Sequence, residues 1–276
     1  MRMSPRRFVL LASLAVAGAL HPGCSTTNAP QPGSPAFLWT AAKENFAVRD
    51  YSKTSEQLNK LLASENEYTA RAQAWQLVLL SGMAHGYMDV ADDLETGIRA
   101  KKADPGGFRK FVSNYRSAGG RISLGFAEAF LRFQKTKDDP VLLAFAYPSG
   151  SVARVPELVR AAQGLPLKET EIETATRRAQ ERQILLETSA AAGSPGDSAK
   201  ALEAFKAGEV RVPRAAFLTA MANSLYEHAQ FYGPRKLDDP EKLKMFSKLA
   251  SGVLDGLPQT KETKELSAKL KQPPKK

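Results

Sequence analysis

Thiols are all but missing from this chain: 276 residues carry one cysteine, Cys24, so no intrachain disulfide can form. Histidine is scarce as well, with three, at positions 21, 85 and 228. Two separated imidazoles downstream and no second thiol leave no zinc-ligand spacing and no nucleophilic triad to read. The apolar run Phe8 to Leu20 is about thirteen residues, short of the ~20 that a membrane-spanning helix needs. No stretch alternates apolar and polar residues between hairpin turns, which argues against a β fold. Gly106-Gly107 and Gly119-Gly120 lack a neighbouring Lys-Ser pair and a preceding strand, so no phosphate loop is indicated. Ser149-Gly150-Ser151 lacks the second glycine and the strand-turn-helix setting of a nucleophile elbow. Asp92, Asp93 and Glu95 lack the alternating oxygen ligands of a calcium loop and read as a solvated helix face. The expectation is therefore no catalytic residue, no metal ligand and no cofactor.

What the chain does have begins at its first residue. Arg2, Arg6 and Arg7 form a basic flank, the apolar run follows, and His21-Pro22-Gly23-Cys24 closes it, the pattern of a secretory signal peptide. With its sole cysteine directly after the apolar core, the stretch resembles a bacterial lipoprotein signal, which is cut just before a cysteine. Gly23 holds the small-residue position, while His21 and Pro22 stand where Leu and a small residue are usual. The resemblance implies that residues 1–23 are removed and that Cys24 carries a thioether-linked diacylglycerol. Two or three acyl chains at ~0.8 kcal/mol per buried methylene hold a protein on a bilayer durably; one would not. Ser25 after the lipidated cysteine implies, by the same resemblance, an outer-membrane position facing the periplasm. Arg6-Arg7 also fits a twin-arginine signal loosely, and ordinary export is the simpler reading.

Removing the three signal arginines leaves 36 basic residues against 29 acidic, a net +7 rather than +10. That suits a neighbour of anionic headgroups or acidic envelope polymers and gives no indication of nucleic acid. Residues 24–34 then read as lipidated cysteine and flexible tether, rich in Ser, Thr, Asn, Pro and Gly. Residues 35–271 read as all-helical, with a possible subdivision at Tyr147–Ser151, and residues 272–276 as a basic tail.

Helical spacing predicts the following elements. Ser34-Pro35 starts a helix bearing Phe37, Leu38, Ala41, Ala42 and Phe46. A second, capped at Thr54, carries Leu58, Leu61 and Leu62. A third runs from about Glu67 through Trp75, Leu79 and Met83, running on or kinking at Gly82 and Gly86, toward Ile98. Two helices separated at Ala118-Gly119-Gly120 are expected next, then a short one over Val141–Ala146 after Asp139-Pro140. Further helices follow at Pro156–Ala162, Lys168–Ala192, Asp197–Ala207, after Pro213, after Pro240 and from Thr260. Trp39, Trp75 and the Phe126–Phe133 aromatics are expected to be core, and Glu169, Glu171 and Glu173 to complement the dipole of a helix start.

Leu38, Ala41, Ala42, Asn45, Asp50-Tyr51, Thr54, Leu58 and Leu61 resemble a tetratricopeptide repeat, and Gly86-Tyr87 to Leu94 echoes Asp50-Tyr51 to Leu58 thirty-six residues on. The resemblance implies helical hairpins stacked as a solenoid; a helical bundle is the other all-α arrangement the pattern allows. His85 with Asp89 one turn on could pair an imidazole with a carboxylate, though a partly exposed histidine by a glycine kink is the plainer reading. His228 and the adjacent Glu227 should point apart. The expected function is a lipid-anchored, non-catalytic scaffold or adaptor that binds another envelope protein or component, its membrane partner reached through Cys24. The alternative is an accessory lipoprotein of a solute transporter with a pocket between helices; an envelope hydrolase is the remote third reading.

Overall fold

A computed structural model describes residues 30–272. The signal-like segment, Cys24, residues 25–29 of the tether and residues 273–276 lie outside the described residues. The described chain is all-α, with ten helices and one small pair of strands.

The Ser-Pro pair starts the first helix as its chemistry dictates. Helix α1 spans Pro35–Ala47, and the Ser34 hydroxyl accepts from the Phe37 amide at 3.2 Å. Helix α2 spans Tyr51–Leu61, but its cap is Asp50, which accepts from the Lys53 amide at 3.0 Å. Thr54 lies buried inside α2, its hydroxyl donating back to the Asp50 carbonyl at 2.9 Å. Asp50 takes the role because it stands one residue before the turn, and such a cap contributes about 1 kcal/mol.

Helix α3, Thr69–Lys101, organises the rest. Every residue from Ala74 to Gly86 is buried, so the helix has no solvent face there and needs neighbours all round. Along its length α3 packs against α4 (Phe108–Phe133), α5 (Pro156–Ala162), α6 (Glu169–Ala191), α8 (Arg214–Phe231) and the α1–α2 pair. Gly82 and Gly86 do not interrupt α3. They let α6 approach: a Cβ at Gly82 would lie 2.5 Å from the Ile184 Cα, and one at Gly86 2.6 Å from the Gln180 Cα. Likewise α4 is one helix, not two. Gly119 lies against the Ala84 carbonyl of α3, and Gly120 against Leu237, with the Gly120 carbonyl accepting from the Tyr232 hydroxyl at 2.9 Å.

The helix expected over Val141–Ala146 does not form. Val141–Leu143 is strand β1, antiparallel to β2 (Val210–Val212), with Val141 opposite Val212. Val141, Leu143 and Phe145 are buried while the residues between them are half-exposed, a period of two that suits an extended chain. Phe145 reaches the core this way and stacks on Trp75 at 5.4 Å. Helices α7 (Ser198–Lys206), α9 (Pro240–Asp255) and α10 (Lys261–Leu270) begin after the side-chain caps Asp197, Asp239 and Thr260.

The main core draws side chains from α1 to α10, on both sides of the Tyr147–Ser151 loop, and includes Trp39, Trp75, Phe126, Phe130 and Phe133. A smaller one joins the later turns of α3 to α4, α5 and α6 through Leu94, Phe108, Leu158 and Ile172. No described helix is long and apolar enough to cross a membrane.

Candidate functional site

Between α3, α4, α6 and α8 the apolar core gives way to a polar knot. Ser81 and His85 stand four residues apart on α3 and so share a face; Ser224 and His228 do the same on α8, with Glu227 one residue before His228. Ser123 joins from α4 and Glu187 from α6. His228 is fully buried, with Nδ1 2.8 Å from the Ser123 hydroxyl and Nε2 3.1 Å from that of Ser81. Phe126, Phe231 and Phe246 surround its ring. The His85 ring meets it edge-on at 4.8 Å.

His85 is 9% exposed, and its Nε2 has no hydrogen-bond partner. That atom instead points between two carboxylates, 3.5 Å from Glu187 Oε1 and 3.5 Å from Glu227 Oε2. The other oxygen of Glu187 accepts from the Ser224 hydroxyl at 2.7 Å, which fixes the carboxylate's orientation. Glu227 leads outward: its side chain is half-exposed and accepts from Asn223 at 2.9 Å. One atom from each of His85, Glu187 and Glu227 falls within 4.8 Å of the other two.

Burial dominates the electrostatics. It pushes Glu187 up to about 8, helped by the charge of Glu227 and opposed by the Ser224 and Ser81 hydroxyls. It pushes His85 down to about 3, with Lys236 adding to the effect. His228 is depressed for the same reason, and Glu227 is raised. In a chain without a bound cation, the site at neutral pH therefore holds neutral imidazoles and a protonated Glu187.

His85 is neither partly exposed beside a kink, since α3 runs unbroken past it, nor paired with Asp89 one turn on. Asp89 turns away to α6, accepting from Gln183 and from Arg182 at 3.3 Å. Glu227 and His228 do diverge as adjacent helical residues must, but the pair of them flanks His85. The acidic cluster is not a bare face. Asp92 meets Lys236 at 2.6 Å, Asp93 meets Arg154 at 2.7 Å, and Glu95 meets Arg116 and Arg99. Glu171 caps α6 by accepting from the Lys168 amide at 2.8 Å. Ser149 donates to Glu181, which also holds Arg49 at 3.0 Å.

A second feature lies on the surface. The α1–α2 turn, α3, α4 and α6 enclose an open groove of about 620 Å³. Tyr87 and Tyr115 line it with ring centroids 5.6 Å apart, together with the exposed Val48, Arg49 and Arg177. A smaller hollow of about 420 Å³ sits between α3 and α4, bordered by Arg99, Arg109, Arg116 and Lys236. No protein-family model, no curated protein and no solved structure matches the chain.

Proposed function

We propose that this chain is a lipid-anchored envelope protein that works by contact, as a non-catalytic scaffold or adaptor for another envelope protein. The observation that carries the reading is the Tyr87–Tyr115 groove, open to solvent and edged by arginine. Tyrosine and arginine are the side chains that most often anchor a protein partner, because each offers a large, stiff contact surface with a polar end. The alternative, a solute receptor, calls for an enclosed apolar cavity, and neither hollow described above is of that kind. The lipoprotein-like residues before Cys24 support attachment to a membrane, and the helical pairs α1–α2 and α3–α4 are compatible with tetratricopeptide-like hairpins.

The test has two arms in cells that make the full chain. Cys24→Ser is expected to move the protein from the membrane fraction to the soluble one; an unchanged distribution and intact mass would remove the anchor. A photoreactive residue at Arg177 is expected to crosslink one discrete protein, with the adduct lost in Tyr87→Ala/Tyr115→Ala. An adduct that survives that double variant, or none at all, overturns the groove assignment.

A further inference from the structure

We infer that His85, Glu187 and Glu227 form a site for one first-row divalent cation of the Zn²⁺ type, with its remaining coordination open on the Glu227 side. Three observations lead there. The donor set is one imidazole and two carboxylates, brought from three different helices to one point. For a cation held 2.0–2.2 Å from each ligand, neighbouring ligands of a tetrahedron stand about 3.3–3.6 Å apart. His85 Nε2 stands 3.5 Å from both carboxylate oxygens, which matches that edge; the two carboxylates lie farther apart, within 4.8 Å, and a rotation of the half-exposed Glu227 side chain would close that gap on binding. At 3.5 Å neither contact is a good hydrogen bond, and a cluster satisfied by hydrogen bonds alone would draw in to about 2.9 Å. An ion between the two acids would give the buried, unpartnered Nε2 its partner.

The surroundings fit the same reading. Ser224 holds the far oxygen of Glu187 and turns the near one toward His85, as groups behind metal ligands do. Two carboxylates cancel the ion's charge, so the loaded site is neutral inside an apolar bundle. His228 is not a ligand, since serine hydroxyls occupy both its nitrogens; its ring fixes the plane of His85. The half-exposed Glu227 supplies the path from solvent.

The experiment uses the full chain, freed of any tag and stripped with chelator. Calorimetric titration with Zn²⁺ is expected to give one ion per chain, and Co²⁺ a visible absorption band that Zn²⁺ abolishes. Glu187→Gln and Glu227→Gln should each weaken Zn²⁺ binding at least about tenfold. His85→Gln should do more. Zn²⁺ should raise the thermal midpoint of the native chain more than that of Glu227→Gln. Glu173→Gln, an exposed acid on α6, should bind as the native chain does. No uptake at about 100 μM free Zn²⁺ overturns the site. So does uptake indifferent to Glu227→Gln. Glu187→Gln copies the protonated side chain and Glu227 is half outside the fold, so folded protein is expected from both.

Discussion

Helix α3 passes through two interiors of opposite kind within three turns. Around Trp75 the contacts are aromatic: Trp39, Phe46 and Phe145 all place ring centroids 5.3–5.4 Å from the indole. Around His85, ten residues on, they are hydroxyls, carboxylates, a second imidazole and a single phenyl ring, that of Phe231. The first region lowers the free energy mainly by removing apolar surface from water, roughly 25 cal/mol per Å², although the Trp75 indole N–H is itself buried without a partner. The second stabilises only so far as each polar atom finds a partner, and at least one does not. One helix thus runs from an apolar, tightly packed interior into a polar one.

Three substitutions would break or sharpen that contrast. Trp75→Ala should cause the largest loss, about 3–5 kcal/mol in denaturant unfolding, because it empties the middle of the aromatic group. A loss below about 1 kcal/mol would mean that the rings do not act as one packed unit. Gly82→Ala, on the stretch joining the two regions, should destabilise by about 1–3 kcal/mol. Its new methyl meets the backbone of α6 at Ile184, which cannot swing aside as a side chain would. A melting curve like that of the native chain would show the two helices free to part.

The smallest effect concerns pH, measured as the melting midpoint in chelator. Glu187 in the folded chain keeps its proton up to about 8, against an ordinary value of 4.5. Between those values the folded state binds more protons than the unfolded one, so stability falls as pH rises through the interval. His85 works in the other direction. Its folded value is about 3 against 6.5, so stability falls as pH drops from 6.5 toward 3. A midpoint that declines on both sides of mildly acidic pH is expected, and Glu187→Gln should flatten the alkaline side alone. If it flattens neither, Glu187 is not held protonated by the fold.

Much of the helical layout could be read from residues that act on their own neighbours. Ser34, Asp197, Asp239 and Thr260 cap helices by bonding an amide three residues on, a rule that needs no tertiary contact. Glycine obeys no such local rule inside a helix. Gly82, Gly86, Gly119 and Gly120 read as weak points, yet each marks where another chain segment comes close. Val141–Leu143 is too short for its alternation to show in sequence, and its partner lies about seventy residues away. The polar site was harder still. Its histidines could be found, but residue type alone does not separate Glu187 from the other acids of a densely charged helix. Its single sign was position: three residues after Ile184 and seven after Gln180, it falls on the buried stripe of α6.

The span of the serine–histidine bonds also bears on how the protein is made. Ser81 and Ser123 find their partner only when His228 arrives, 147 and 105 residues later. Until then the most water-averse stretch of α3 has one side uncovered, and a ribosome releasing the chain from its first residue cannot finish the interior early. Nascent chains that stop short of α8 should therefore be clients of chaperones and easy cuts for proteases, whatever the quality of their first hundred residues.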